Sequence, residues 1–313
     1  MASREKILVI KLGALGDWVL ATGPFAAIRA HYPGAETTLL TVAEFADWGA
    51  RCGWFDEVWI DDRPGWSRPF GWLRLRRKLN ETGFSRVYDL QTSDRSSAYF
   101  HLLPRRRRPQ WSGIARGSSH PHDNPKRDLM HTVDRQADQL AMAGIDHVPA
   151  PNLDWLDAEI DGLVPEGEYA LLVPGGSAHR PGKRWPADSY ATLARAVAEQ
   201  GMTPVLIGAR AEADILSVIA DQAPAAINLA GRTSLDQIAA LARRARVAIG
   251  NDTGPMHIVA TAGCASVVLF SGESDPALCA PRGRAVQVLR ETSLADLPVE
   301  AVLEALHAVS GPA

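Results

Sequence analysis

The chain has 313 residues, 46% of them hydrophobic, and a net charge of −3 at pH 7, so it can build two cores and is not a disordered protein. This acidic balance, without a recognisable reader motif, argues against a nucleic-acid partner. No apolar run approaches the ~20 residues that span a bilayer, and no signal peptide is recognisable, so we expect a cytoplasmic protein. The three cysteines have no paired spacing and are expected to be reduced thiols.

The first half of the chain alternates strand-like and helix-like segments. Strands are predicted at 6–11, 36–42, 57–61 and 86–91, and helices near 17–30, 43–50, 69–82 and 94–103. The stretch 110–126 is rich in Gly, Ser, His and Pro and is predicted to be an irregular loop, followed by a helix over 131–144. The proline-flanked segment 148–152 is the best candidate linker.

The same alternation restarts after this linker. Strands are predicted at 169–173, 203–207, 226–229, 246–250, 265–270 and 285–289, and helices near 187–200, 211–222, 234–245, 254–263 and 298–308. Such alternation predicts parallel sheets covered by helices on both faces. We therefore predict an α/β fold of two Rossmann-like, doubly wound domains, residues 1–150 and 151–313, that face each other across a cleft. Ligands of such sheets bind beyond the carboxyl ends of the strands.

The segment Asn251-Asp-Thr-Gly-Pro-Met-His257 follows a buried strand and opens a helix. The first N–H groups of a helix and the positive end of its dipole together form an anion site. Asp252 and Thr253 are expected to cap this helix, Gly254 allows a close backbone approach, and His257 lies about one turn in. A capped helix start without any ligand is the alternative interpretation of this segment.

Two further strand ends in the second half carry groups suited to a nucleotide. Pro174-Gly-Gly-Ser177, followed by Lys183 and Arg184, offers backbone and cationic donors for phosphate oxygens, although it is not a Walker A loop. Glu212, after the strand at 203–207, can accept hydrogen bonds from a ribose diol. The alternatives are a solvated loop for the two cations and an ordinary first-turn helix acid for Glu212.

In the first half, Lys11-Leu-Gly-Ala-Leu-Gly-Asp17 follows the first strand. Its glycines let the backbone turn tightly, so that Asp17 heads the next helix and faces the cleft. A simple helix-capping aspartate is the alternative. The spacing Gly13-x-x-Gly16 is not the GxGxxG dinucleotide fingerprint, which argues against a nicotinamide or flavin enzyme. No cofactor is therefore expected.

Basic residues are concentrated in the first half. Residues 1–150 carry 21 Lys and Arg against 17 Asp and Glu, a net charge of +4, and residues 151–313 carry 12 against 19, a net charge of −7. The basic clusters at 63–78 and 105–108 predict either a solvated surface or a site for an anionic partner at a membrane face.

Together these motifs resemble the ADP-heptose:lipopolysaccharide heptosyltransferases of glycosyltransferase family 9. The resemblance rests on Lys11-Leu-Gly-Ala-Leu-Gly-Asp17, Pro-Gly-Gly-Ser…Lys-Arg-Trp-Pro186, Gly-Ala-Arg-Ala-Glu212 and Asn-Asp-Thr-Gly-Pro-Met-His257, in this order over nearly the whole chain. It implies the GT-B architecture, with an acceptor-binding N-terminal domain and a donor-binding C-terminal domain. A final helix often crosses back to the first domain in that architecture.

The resemblance also implies roles for individual residues. Asp17 would be the catalytic base that deprotonates the acceptor hydroxyl. Lys183 would meet the donor diphosphate, and Glu212 would hold the ribose. The other predicted donor-site residues, which would contact the phosphates, the sugar or the adenosine, are Ser177, Thr233, Asp252, Thr253, Gly254 and His257.

The resemblance thus implies an inverting glycosyltransferase that moves a heptose from ADP-heptose to a lipopolysaccharide core or a related anionic glycolipid acceptor. Asp17 and Lys183 would belong to opposite walls of the cleft. No DxD-type carboxylate pair argues for a metal, so none is expected. Two alternatives stay open: a non-catalytic protein that binds a nucleotide or nucleotide sugar on the same scaffold, and a transferase that uses another nucleotide sugar. The cytoplasmic face of the inner membrane is a candidate partner surface.

Overall fold

The structure is a computed structural model that describes residues 4–65, 69–164, 166–176 and 179–311. The predicted donor residue Ser177 lies outside these ranges. The chain divides into two compact units, Met1–Pro151 and Asn152–Ala313. Each unit contains one parallel sheet with helices around it.

The first unit has a parallel sheet in the order β3-β2-β1-β4-β5-β6. Its strands among the described residues are β1 (Lys6–Ile10), β2 (Glu36–Thr41), β3 (Glu57–Ile60), β4 (Arg86–Asp89), β5 (Gln110–Gly113) and β6 (His120–Pro121). Its helices are α1 (Leu15–Leu20), α2 (Thr22–His31), α3 (Ala43–Arg51), α4 (Pro69–Thr82), α5 (Asp94–Leu102) and α6 (Thr132–Ala141).

Strand β1 forms the centre of this sheet because its apolar run is buried on both faces. Ile10 at its end pairs with Leu40 on one side and Asp89 on the other. The chain then turns through Gly13, whose φ of +122° is a backbone conformation that favours glycine. The turn brings Asp17 into the first turn of α1, beyond the carboxyl end of the sheet.

Two predictions for this unit are wrong. The stretch 110–126, predicted as an irregular loop, contains β5 and β6. Its short strands carry few apolar residues, although Trp111 is fully buried. The single helix predicted near 17–30 is two helices that meet at Ala21. The hydroxyl of Thr22 donates to the Val19 carbonyl at 2.7 Å, a local bond that competes with regular helix geometry.

The second unit has a parallel sheet in the order β12-β11-β10-β7-β8-β9. Its strands in the described ranges are β7 (Tyr169–Val173), β8 (Thr203–Leu206), β9 (Ile227–Asn228), β10 (Val247–Asn251), β11 (Ser266–Phe270) and β12 (Val286–Arg290). Its helices are α7 (Ala187–Glu199), α8 (Ala213–Gln222), α9 (Leu235–Arg244), α10 (Gly254–Thr261), α11 (Pro276–Cys279) and α12 (Val299–Ser310). Helix α12 packs against α7, β10, β11 and β12 of this unit.

The strand order of each sheet reverses direction at its first strand, β1 in the first unit and β7 in the second. Loops leave such a switch point to opposite sides of the sheet, which opens a crevice at the carboxyl ends of the strands. The loops after β1 and β4, and those after β7 and β10, are therefore the expected ligand loops. No helix in the described part of the chain is long and apolar enough to cross a membrane.

Candidate active site

A small polar pocket surrounds Asp17 in the first unit. Its volume is about 60 Å³, and Asp17 is half-buried at its edge. Lys11, directly after β1, is only 3% exposed, and its ammonium donates to the Leu90 carbonyl at 3.2 Å. Helix α6 closes the pocket with Arg135 and with the buried amide side chain of Gln139.

Asp17 shares this pocket with two cations. Burial lowers the pKa of Lys11, and the negative charge of Asp17 is the strongest influence in the opposite direction. Burial and the charge of Arg127 lower the pKa of Arg135, and the charge of Asp17 again opposes this shift. Lys11 and Arg135 therefore both lie within electrostatic range of the Asp17 side chain.

Sequence reasoning missed the contribution of α6. Thr132, Arg135, Gln136 and Gln139 all line the pocket, and their spacing of i, i+3, i+4 and i+7 puts them on one face of the helix. A polar stripe at helical spacing in a helix that must cover a sheet was the available signal. The Gln139 amide donates to the carbonyl of the last β4 residue at 3.0 Å, which fixes α6 against the sheet.

The carboxyl end of β4 is fixed by a buried carboxylate. Asp89 is fully buried, and burial raises its pKa to about 6. Its Oδ1 accepts from the backbone N–H groups of Gln91 and Thr92 at 3.1 and 3.0 Å. The Gln91 side chain in turn accepts from the N–H of Leu12 at 2.8 Å. The loops after β1 and β4 are thereby tied together around Asp17.

In the second unit, Lys183 and Asp252 form a well-shielded ion pair. Lys183 Nζ lies 2.6 Å from Asp252 Oδ2, and the side chains are 12% and 9% exposed. The Ser274 hydroxyl donates to the same oxygen at 2.8 Å. Asp252 therefore binds the cation and does not cap α10 as predicted. Thr253 occupies the N-cap position, as expected, but within the described residues its side chain makes no capping hydrogen bond.

Asn251, the last residue of β10, holds the loop that carries Lys183. It is fully buried, and its amide donates to the carbonyls of Pro174 and Gly175 at 2.8 and 3.0 Å. Its Oδ1 accepts from the N–H of Trp185 at 3.1 Å. Both ends of the Lys183 loop are thus tied to the last residue of β10. This asparagine belongs to the motif that ends at His257, but no role was predicted for it from the sequence.

Glu212 links the loops after β7 and β8. Its Oε1 accepts from the N–H of Gly176 and its Oε2 from the N–H of Ala209, both at 2.7 Å. A Cβ on Gly175 would lie 2.2 Å from the Glu212 carboxylate, so this close approach requires glycine. Arg184 donates from Nη2 to the Gly176 carbonyl at 2.6 Å. Glu212 therefore stabilises the loop whether or not it also meets a ligand.

The loops bearing Lys183, Glu212 and Asp252 follow three adjacent strands, β7, β8 and β10, at one edge of the sheet. Gly254 opens α10 at that edge, and His257 lies on the same helix with 6% exposure. Thr233 is half-buried just before α9, after the edge strand β9. In the described ranges, no group of three or more His, Cys, Asp or Glu side chains is arranged to hold a metal ion.

Comparison with known proteins identifies the family of this chain. The model of glycosyltransferase family 9 (heptosyltransferase) matches residues 72–300. The chain belongs to glycosyltransferase family 9. Lipopolysaccharide heptosyltransferase 2 of Salmonella typhimurium is 26% identical over 97% of this chain and 98% of its own length. The prediction that the chain is a glycosyltransferase of this family is confirmed.

Solved structures of the family have the same fold. A glycosyltransferase family 9 structure from Veillonella parvula superimposes with a TM-score of 0.85 at 21% identity, covering 98% of this chain and 97% of the other. The E. coli heptosyltransferase WaaC with ADP-2-deoxy-2-fluoro heptose gives a TM-score of 0.74 at 19% identity, covering 96% and 98%. The predicted α/β fold with the GT-B architecture is confirmed.

Proposed function

We propose that the chain is an inverting heptosyltransferase that transfers a heptose from ADP-heptose to an acceptor in the lipopolysaccharide core. The name of the Salmonella relative and the heptose analogue bound by the E. coli neighbour support the donor and the acceptor. The observation that carries the proposal is the set of strand-end loops in the second unit. There the shielded ammonium of Lys183 is held by Asp252, just before the start of α10. Within the described residues, no side chain caps the N-terminus of this helix.

The donor diphosphate binds at the start of α10 in this proposal. Backbone N–H groups near Thr253 and Gly254 and the helix dipole supply partial positive charge. The ammonium of Lys183 supplies a full charge. The Lys183 loop needs no large rearrangement because Asn251 already fixes it to the strand that precedes α10.

The acids at this site have different tasks. Asp252 would repel a phosphate, so we assign it to the orientation of Lys183 and to the hydroxyl groups of the sugar. Each Glu212 oxygen accepts one backbone hydrogen bond and keeps a lone pair, so both remain able to accept from the ribose diol. Ser177, Thr233 and His257 keep their predicted contacts with the donor.

Asp17 is the general base of the proposed reaction. Its carboxylate takes the proton of the acceptor hydroxyl, and the acceptor oxygen bonds to the anomeric carbon from the face opposite the diphosphate. The bond between that carbon and the diphosphate oxygen breaks, and ADP leaves with the electron pair. Base assistance contributes ~10²- to 10⁴-fold. Lys183 and the α10 N–H groups stabilise the departing charge, so the proposal requires no metal.

Replacement of Asp17 separates transfer from binding. Asp17→Asn keeps the shape but removes the base, so turnover should fall by ~10²-fold or more, while calorimetry should give an unchanged ADP-heptose affinity. Asp94→Asn is the matched control because Asp94 is an exposed acid in the first turn of another helix of the same unit. Full activity of Asp17→Asn would refute the assigned base, and a wild-type protein that binds without transferring would be a binding protein.

A thermal-shift screen of nucleotide sugars tests the donor. A ligand at 100 times its dissociation constant should add ~2.7 kcal/mol to the free energy of unfolding. ADP-heptose should therefore give the largest shift among ADP-, UDP-, GDP- and CDP-sugars. A larger shift with another nucleotide sugar would refute the heptose assignment and leave the family assignment intact.

We further propose that α4 of the basic first half meets an anionic glycolipid acceptor at the membrane surface. Phe70 and Leu73 are 84% and 53% exposed, and Arg74 and Arg77 share their face of the helix at i+4 and i+7. Exposed apolar and basic side chains on one face are typical of helices that lie at a lipid interface. Arg74 also pairs with Asp62, so part of this charge is already balanced.

A further inference from the structure

A second charged region of the first unit lies away from Asp17. A cavity of about 830 Å³ is lined by Phe100, His101, Arg105, Arg108, Gln110 and Arg116, among others. Gln110 opens β5 and pairs with Arg86, the first residue of β4. The cavity therefore lies at the amino ends of these strands. The Asp17 pocket lies at the carboxyl ends, ~10 Å of strand away.

The cavity concentrates positive charge without compensating acids. Three arginines line it and no Asp or Glu does. Among the residues that the structure describes, Arg105 and Arg116 form no ion pair. Like charges that line one cavity repel one another, and a bound anion relieves that repulsion.

Arg108 is already held in one orientation. Its Nε donates to the Leu103 carbonyl at 3.1 Å, and its guanidinium carbon lies 4.1 Å from the centre of the Phe100 ring. The hydrogen bond uses one of five N–H groups of the guanidinium. The flat group is stacked and fixed, which reduces the entropy lost when it binds a ligand.

We propose that this cavity binds a ligand that carries two phosphoryl groups. Arginine forks match phosphate oxygens in bidentate geometry, and the three positive charges exceed the charge of about −2 that one phosphoryl group carries. The volume lies within the ~300–1,000 Å³ typical of small-molecule sites. A free phosphorylated compound and a phospholipid head group share this chemistry. The proposal is independent of the transfer reaction because the cavity lies at the opposite end of the sheet from Asp17.

Inorganic pyrophosphate is the probe. Its affinity is measured by calorimetry at low salt with saturating ADP, which occupies the proposed donor site. Arg108→Gln/Arg116→Gln should weaken binding about tenfold or more, because each arginine makes charge-assisted hydrogen bonds. Arg106→Gln/Arg107→Gln is the matched control, since it removes the same charge from neighbouring arginines that do not line the cavity. Pyrophosphate should also slow amide hydrogen exchange in peptides covering 103–119.

Vesicles of phosphatidylcholine with and without cardiolipin, a lipid whose head group carries two phosphoryl groups, distinguish the two sources. If the Arg108→Gln/Arg116→Gln variant, here called the cavity pair, also loses binding to the acidic vesicles, the ligand is a lipid head group. If only pyrophosphate binding is lost, the ligand is a free phosphorylated compound. An equal loss in both double variants would reduce the effect to net charge and overturn the proposal. Unchanged pyrophosphate affinity in the cavity pair, or no protection of 103–119, would do the same.

Discussion

Removal of the Lys183 ammonium tests the donor site in the second unit. In Lys183→Ala, a hydrogen bond between a charged donor and the diphosphate is lost, which costs about 1.5 to 3 kcal/mol, or roughly 10- to 160-fold in ADP affinity. The side chain is 12% exposed, so solvent screens this interaction little. The variant also leaves the Asp252 carboxylate, 9% exposed, without its cation beside the phosphates, so the loss should fall in the upper part of this range.

Calorimetric titration with ADP measures the effect, and a second substitution separates its two causes. Asp252→Asn in the Lys183→Ala background removes the repulsion and should recover part of the lost affinity, which a double-mutant cycle quantifies. Arg180→Ala is the control, because Arg180 is an exposed cation of the same loop. It should leave ADP affinity within about twofold of wild type.

Two outcomes would refute this reasoning. ADP affinity of Lys183→Ala within twofold of wild type would mean that the ammonium does not meet the diphosphate. Equal losses in Lys183→Ala and Arg180→Ala would mean that only the net charge of the loop matters. In either case the pair with Asp252 would be a structural contact of the loop.

Two further predictions concern the first unit. Burial raises the pKa of Asp89 from 3.8 to about 6, so its protonation stabilises the fold by ~3 kcal/mol below about pH 4, and this is lost as the pH rises through about 6. Because Asn does not titrate, the Tm of Asp89→Asn relative to that of wild type should increase between about pH 4 and pH 6. Parallel Tm profiles of the two proteins would contradict the raised pKa of Asp89. Charge reversal at Arg74, Arg76 and Arg77 should abolish binding to anionic vesicles at low salt, which wild type should itself lose near 0.5 M salt, and leave ADP affinity unchanged. If the triple variant still sediments with vesicles as the wild type does, the three arginines are only an ordinary solvated helix face.

Much of the fold follows from sequence periodicity because long apolar strands and amphipathic helices alternate clearly. The exceptions have physical reasons. Strands β5 and β6 are short and lack an apolar run of their own. Strand β5 is positioned by its pairing with β4, and β6 by its pairing with β5. The break between α1 and α2 coincides with the hydrogen bond from the Thr22 hydroxyl to the Val19 carbonyl, a local contact that helical periodicity does not reveal.

The candidate site was predictable where one segment contains both a recognisable strand and the charged side chain that follows it. Asp17, Lys183 and Asp252 each follow a predicted strand, so their placement at a strand end could be foreseen. That Lys11 and Arg135 share one pocket with Asp17 could not be predicted from the sequence, because α6 reaches the loop after β1 only in the folded domain. The ion pair that occupies Asp252 is a contact across 69 residues, which local capping rules do not anticipate.

The most direct test of the proposed transfer is mass spectrometry of a heptose-deficient lipopolysaccharide core incubated with this protein and ADP-heptose. We expect the acceptor to gain the mass of one heptose while one ADP is released per transfer, and we expect Asp17→Asn to suppress both. An acceptor of unchanged mass, with ADP-heptose demonstrably bound to the wild-type protein, would contradict the claim that this chain is a heptosyltransferase.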